Sequence, residues 1–347
     1  MTIEHDNIAN TVGRDMFAYA GARPWHHKGT KVPGLMTVVQ ALVAGGLDSE
    51  VVKIKVGVLD DDYIDFHGIQ IPNTYATGRV IEGDDGSKRF VPFEGSVKGR
   101  YTIVQDRDAF DFFNQAIHDG VACIETVGAL GRGETVWAMA KLPNDFEVVQ
   151  GDPIERYILL KNTHDGSGSL EACFTPFRVV CQNTLMAAIK GATCRVKIRH
   201  TKSATEKVKN LHKLLNASEA YWKRLSEAYQ ALTMRDMTQI EVVDFIEKMF
   251  PGKREKVKNA AGKEVEVTTV ATRTQNNRDA VLALFAGNAK GSEFAGKTQY
   301  GMFNAYTEWL GSHRSLRKGT DAWEADNFGS GVSLRQKAYD ILADQIS

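Results

Sequence analysis

Four apolar segments of strand length, Val121–Leu130, Thr135–Leu142, Ile154–Asn162 and Leu170–Val180, follow one another along the middle of the chain. The turns between them are Gly131-Arg132-Gly133, Pro143-Asn144 and Asp165-Gly166-Ser167-Gly168. Adjacent parallel strands require a crossover of about a dozen residues or more, usually a helix. No helical crossover fits these connections, so the segments predict a mostly antiparallel sheet. Upstream, Val51–Leu59 alternates, and Thr74–Ile81, Asp84-Asp85-Gly86 and Arg89–Phe93 read as a hairpin. Helices are expected at Thr37–Ala44, with Thr37 as N-cap and Gly45-Gly46 as stop, and around Arg107–His118.

The periodicity changes after Thr201. Val208, Leu211, Leu215, Ser218, Trp222, Leu225, Tyr229 and Leu232 recur at 3-4 spacing, which predicts a long amphipathic helix. Its apolar stripe serves either the core or a subunit contact. Further helices are expected at Gln239–Met249, Gln275–Ala286, Thr298–Gly311 and Leu334–Ile346. The insert Pro251–Val267 is charged and turn-rich, and reads as a mobile loop or a flexible hairpin. The expected fold class is α+β: a mostly antiparallel sheet body with packed helices over residues 1–203, then an all-α C-terminal part over 204–347 carrying the insert at 251–267.

With 43% hydrophobic and 25% charged residues, the chain has the composition of a globular protein rather than a disordered one. Its 347 residues suffice for one large domain or two ordinary ones. The N-terminal MTIEHDNIAN lacks an apolar leader, and no apolar run reaches membrane-spanning length, so a cytoplasmic protein without membrane contact is expected. Four cysteines without a CxxC pair read as free thiols, and zinc-type spacing is absent. Net charge is zero, so any nucleic-acid affinity must come from a local patch. From Lys190 to Arg224 there are ten Lys/Arg against two acids, Glu206 and Glu219.

The densest chemistry lies in Phe177–Thr201, FRVVCQNTLMAAIKGATCRVKIRHT. A strand ending near Val180 leads into Gln182, Asn183 and Thr184, which are expected to open a short apolar helix reaching Lys190. Beside Arg178, that helix start would offer free N–H groups to a phosphate, or simply cap itself. Next, Arg195, Lys197 and Arg199 alternate with Val196 and Ile198, so a strand places the cations on one face. With His200 and Lys202 they form the expected nucleic-acid-binding set, together with Arg178, Gln182, Asn183 and Thr184.

Several motifs point to enzymes. Gly291-Ser-Glu-Phe-Ala-Gly296-Lys297-Thr298 fits the phosphate-cradling loop, but Gln275–Ala286 before it reads as a helix where that loop needs a strand. Gly128-Ala-Leu-Gly131-Arg-Gly133 falls at a hairpin, not at a dinucleotide-binding turn. Asp60-Asp61-Asp62 with Asp65 and His67 offers oxygen ligands, yet sits where a solvated turn is expected. Cys181 is a candidate nucleophile with His164 or His200 as base and Asn183 or Asp165 as orienter. His26-His27 beside Trp25 reads as a packed loop rather than a metal site. No catalytic residue, metal or cofactor is assigned.

Pro24-Trp25-His26, Ala44-Gly45-Gly46-Leu47-Asp48, Tyr101-Thr-Ile-Val-Gln105 and Glu125-Thr126-Val-Gly128 begin an ordered series. It continues through Asn162-Thr-His164-Asp165-Gly166, Arg178-Val-Val-Cys-Gln-Asn-Thr-Leu185, Arg199-His200-Thr201 and Asn304-Ala-Tyr-Thr307-Glu308. In these blocks, across about residues 20–345, the chain resembles the phage/plasmid-like family of uncharacterised proteins carried by bacteriophages, prophages and conjugative plasmids. That resemblance implies a mobile-element origin and the company of DNA-maintenance genes. The sheet-then-helix layout is also similar in outline to single-strand annealing proteins of the RecT and lambda Beta type. The leading expectation is therefore a DNA-binding protein that handles single-stranded DNA in replication or recombination, as a homo-oligomer. The alternatives are a protein that binds and modulates a host replication or recombination protein, and an enzyme: a Cys/His hydrolase, a metal-dependent nuclease or an NTPase.

Overall fold

The computed structural model describes residues 8–11, 14–20, 28–58, 68–83, 85–118, 123–178, 183–184, 194–208, 218–258, 264–317, 320 and 322–344. Its centre is a nine-stranded sheet. The main path runs Asn183–Thr184, Leu170–Arg178, Pro153–Thr163, Thr135–Lys141, Cys123–Leu130, Phe17–Tyr19 and Thr30–Lys31. Arg195–Ile198 also pairs with Leu170–Arg178, and Phe146–Glu147 with Pro153–Thr163. The pairings are antiparallel, as the short connections require, except at the margin where Phe17–Tyr19 runs parallel to Thr30–Lys31.

Alternation along these strands fills both faces. Val136, Ala138, Ile158, Leu160, Ala172 and Phe174 belong to the main core, whereas Phe17, Trp137, Leu159 and Cys173 form a second buried layer. The helices Val38–Ala44 and Asp106–His118 contribute to the main core through Ala41, Leu42, Phe110 and Phe113. Thr37 caps the first of these in a capping box with Gln40, the arrangement its sequence promised. Phe328 and Val332 pack against the second layer.

Glu50–Gly57, Gln70–Glu82, Lys88–Pro92 and Val97–Lys98 form a separate four-stranded antiparallel sheet, including the expected hairpin. The helical part shares the main core rather than building its own. One contiguous buried cluster extends from Ala9 to Leu342 and joins Ile158 and Phe174 to Trp222, Leu225, Tyr229 and Leu232. Phe174 stacks on Tyr221 with ring centroids 5.2 Å apart. The apolar stripe of Ser218–Thr233 is thus used inside its own chain. Leu211 and Leu215 lie outside the described residues.

Several boundaries differ from those expected. Asn183–Thr184 is extended and pairs with Phe177–Arg178 as a short strand; the rest of the helix expected to reach Lys190 lies outside the described residues. The helix expected at Gln275–Ala286 runs Thr272–Ala283 and ends in a π-helical turn, Leu284–Asn288, in which Gly287 has φ 129°. Thr298 is the N-cap of Gln299–Glu308. The insert takes the hairpin form of its two expected readings, Lys253–Lys258 pairing with Glu264–Thr269. Ala322–Asn327 is a further helix that its short, polar sequence did not announce. No helix among the described residues is long and apolar enough to cross a membrane.

Candidate functional site

The residues expected to bind nucleic acid fall at two ends of one strand. Lys197 is opposite Glu171 near the start of Leu170–Arg178, and Asn183 is opposite Arg178 at its end. At about 3.3 Å per residue these places are about 23 Å apart along the strand. Arg178 and Asn183–Thr184 are described as backbone only; Gln182 lies outside the described residues, as do Cys181, His26-His27 and the acidic run Asp60–Asp62 with Asp65 and His67.

Arg195–Ile198 is the expected strand, with Ile198 buried and Lys197 exposed. Its cations are not left to solvent alone. Glu171, itself 7% exposed, takes Arg195 Nη1 at 3.3 Å and Lys197 Nζ at 3.0 Å. Arg195 also donates to the Asn327 carbonyl at 3.2 Å and lies over the Phe328 ring. One carboxylate thus offsets part of the charge of the strand. Arg199 and Lys202, beyond the strand end, are exposed.

His200 is corrected from a surface contact to a buried one. It is 6% exposed and stacks on Tyr101 with centroids 4.9 Å apart. Burial, then the neighbouring His164, lowers its pKa to about 4, against a weaker opposing pull from the Thr102 backbone. The ring is therefore neutral near pH 7, and it offers a phosphate neither charge nor access.

The same stack joins two distant loops. The Thr102 N–H donates to the His200 carbonyl at 3.1 Å. Tyr101 anchors the joint by donating its hydroxyl to the Thr163 carbonyl at 2.9 Å. Exposed Arg100, next to Tyr101, and exposed Arg199, next to His200, thereby flank the stack, with Lys202 two residues further on; Lys98 belongs to the strand Val97–Lys98 and donates to Thr74 Oγ1 at 3.2 Å. Arg100 is a candidate that sequence reasoning missed. Nothing local marks it, because about a hundred residues separate the two loops.

Beneath this joint is a buried ionic network. Asp106 opens the helix Asp106–His118, where a negative charge is favoured. Its Oδ2 accepts from Arg79 Nη2 at 2.6 Å, and its Oδ1 lies 2.8 Å from His164 Nε2. Asn162 Nδ2 donates to Oδ1 at 3.2 Å and to the Val104 carbonyl at 2.9 Å. Asn162 and His164 are two apart on the same strand end and share a face, a spacing visible in the sequence. Arg79 comes from the second sheet, and its side chain is 1% exposed. Burial opposes the charge of Asp106, but Arg79 and then His164 overcome it and hold the carboxyl well below the usual carboxylate range.

Gly133 lets this network form. Its φ of +98° suits glycine, its carbonyl accepts from Arg79 Nη2 at 3.3 Å, and a Cβ there would lie 3.3 Å from Arg79 Nε. On the outer side, burial raises the pKa of Glu134, helped by Asp165 and Glu94. That acidic corner reaches the stack itself, since the Asp165 charge also acts on Tyr101 and His200.

The enzymatic motifs fare as follows. His164 and His200 are both buried, so neither ring can serve as base to a substrate at the surface. Cys173 is fully buried, and burial pushes its thiol up to about 11; burial also raises Cys194. Among the described residues no three His, Cys, Asp or Glu side chains gather as a metal site. Gly291–Thr298 lies between helices, with Thr272–Ala283 and the π-helical turn before it where a phosphate loop needs a strand. Lys297 Nζ instead donates to the Phe285 carbonyl at 2.5 Å and lies over its ring. Gly131 and Gly133 occupy the tight hairpin turn that was expected.

No curated protein and no solved structure is detectably similar to the chain. Residues 94–328 match DUF932, a domain of unknown function. That span takes in Tyr101, Asp106, Asn162, His164, Arg199 and His200, and leaves Arg79 outside it. As the match covers more than half of the sequence, the chain belongs to the DUF932 family.

Proposed function

We propose that the chain is a phage- or plasmid-type protein that binds single-stranded DNA during replication or recombination. The observation carrying this reading is the placement of exposed Arg100 with exposed Arg199 and Lys202 on either side of the Tyr101–His200 stack. Two loops carrying exposed arginines, held together by half-buried Tyr101 on buried His200, form a surface suited to a phosphodiester backbone. Arg195 and Lys197 flank it with partly offset charge, and Arg178 at the far end of the Leu170–Arg178 strand lies in the direction in which a longer strand of DNA would run. The patch holds the backbone and leaves the bases outward, which suits strand annealing by a homo-oligomer.

Fluorescence anisotropy with labelled single- and double-stranded oligonucleotides across a salt series tests this. The parent chain binds single strands with a steep salt dependence. Arg100→Ala/Arg199→Ala/Lys202→Ala lowers the log–log slope by about 2, at roughly 0.7 per phosphate contact. Unchanged binding in that variant, or no binding by the parent at low salt, refutes the reading.

A protein partner, such as a host replication or recombination protein, is favoured by one separate observation. Leu35, Val39 and Val43 are 54%, 68% and 50% exposed and recur at helical spacing along Val38–Ala44 and its approach. Val39→Glu abolishes capture of such a partner if this stripe is the contact, and leaves DNA affinity unchanged.

A further inference from the structure

Three arginines, Arg273, Arg314 and Arg317, converge on a cavity of about 570 Å3 in the helical part. We infer that this cavity binds the phosphate groups of a nucleotide-sized ligand, a site separate from the loops around Tyr101.

Among the described residues the charge of the cavity is uncompensated by its own walls. Among the described residues none of the lining side chains is acidic, and the other polar ones include Thr274, Asn277 and Ser315. The partners that orient the arginines are neutral: Arg273 Nη2 donates to the Ser315 carbonyl at 3.1 Å, and Arg314 Nη2 to Ser330 Oγ at 2.9 Å. Like charges gathered in this way repel, and an anion removes that repulsion while gaining charge-assisted hydrogen bonds. Guanidinium forks match phosphate oxygens in pairs, which distinguishes this wall from a lysine-rich surface.

Backbone donors point to the same chemistry. Arg273 and Thr274 lie in the first turn of Thr272–Ala283, whose N-cap, Ala271, has no side chain to satisfy the free N–H groups. Ser330, at the start of Ser330–Asp344, also lines the cavity, although the Asp326 carboxylate lies beside Gly331 in that first turn and offsets part of its positive end. Trp309, 4% exposed, and Leu316 supply an apolar wall against which a base or sugar can lie. The volume is in the usual range for small-molecule sites, roughly 300–1,000 Å3. This cavity, and not the Gly291–Thr298 loop, is where the helical part can meet a phosphate.

Isothermal titration of the full chain with ADP and with pyrophosphate, at constant ionic strength, tests the site. Both probes bind, ADP the tighter, and Arg273→Gln/Arg317→Gln weakens each by roughly tenfold or more. Arg273 and Arg317 are exposed, so the double variant keeps its unfolding midpoint; Arg317→Gln alone is the milder check and weakens binding by less. Lys297→Gln leaves both affinities unchanged. Absence of binding by either probe, equal affinity in parent and double variant, or loss of binding in Lys297→Gln overturns the inference.

Discussion

Acidification from pH 7 to 4 should destabilise this protein through His200 in particular. In an unfolded chain the imidazole takes up a proton near its ordinary 6.5, but in the fold burial and His164 hold it to about 4. Above pH 6.5 the ring is neutral in both states and contributes no slope. Between about 6.5 and 4 the unfolded chain binds the proton and the folded chain does not, so stability falls as pH falls. Below about 4 the loss is complete. The full interval is worth about 3 kcal/mol, or about 4 °C in Tm for a chain of this length. His200→Phe isolates the effect. Neither ring nitrogen makes a well-formed hydrogen bond among the described residues, the pull of the Thr102 backbone being weak, and the ring face is already stacked on Tyr101. The substitution keeps the shape, removes two buried unpaired polar atoms, and is neutral or stabilising at pH 7. Thermal unfolding at half-unit pH steps gives the comparison: the parent loses about 3 kcal/mol more than His200→Phe between pH 7 and 4. Parallel pH profiles for the two proteins, or an NMR titration of His200 near 6.5, would refute the reasoning.

Other substitutions probe the frame around that joint. Asp106→Ala strands the Arg79 guanidinium in the interior and costs about 3–5 kcal/mol in denaturant unfolding, whereas Arg79→Met/Asp106→Leu costs distinctly less. Gly133→Ala forces a side chain into φ +98° against Arg79 and costs about 1–3 kcal/mol, with no change in the denaturant m-value. Thr238→Ala removes the capping box of Gln239–Met249 and costs about 1 kcal/mol, read as a small drop in Tm. Lys197→Ala, whose charge already meets Glu171, lowers single-strand affinity less than Arg199→Ala does.

What was legible beforehand was what local chemistry and short connections control. The sheet strands from Val121 onward could be read because their apolar residues alternate and their turns leave no room for a crossover. The Thr37 cap and the basic strand Arg195–Ile198 were legible for the same local reason. Asn183 and Thr184 are extended rather than helical because pairing with Phe177–Arg178 was open to them, a choice that their polar side chains do not decide. His200 sits between cations in the chain, yet stacking on Tyr101 placed it inside.

The sequence by itself determined the α+β class, the antiparallel order and the absence of net charge, since these follow from periodicity, connection length and composition. Only the tertiary structure decided which charges meet. Arg79, Asp106 and His164 come from a separate sheet, a helix start and a strand end, and Glu171 reaches across a strand pair to Arg195 and Lys197. Ion pairs and buried networks depend on separations of 3–4 Å between groups far apart in the chain, and neither composition nor periodicity carries that information.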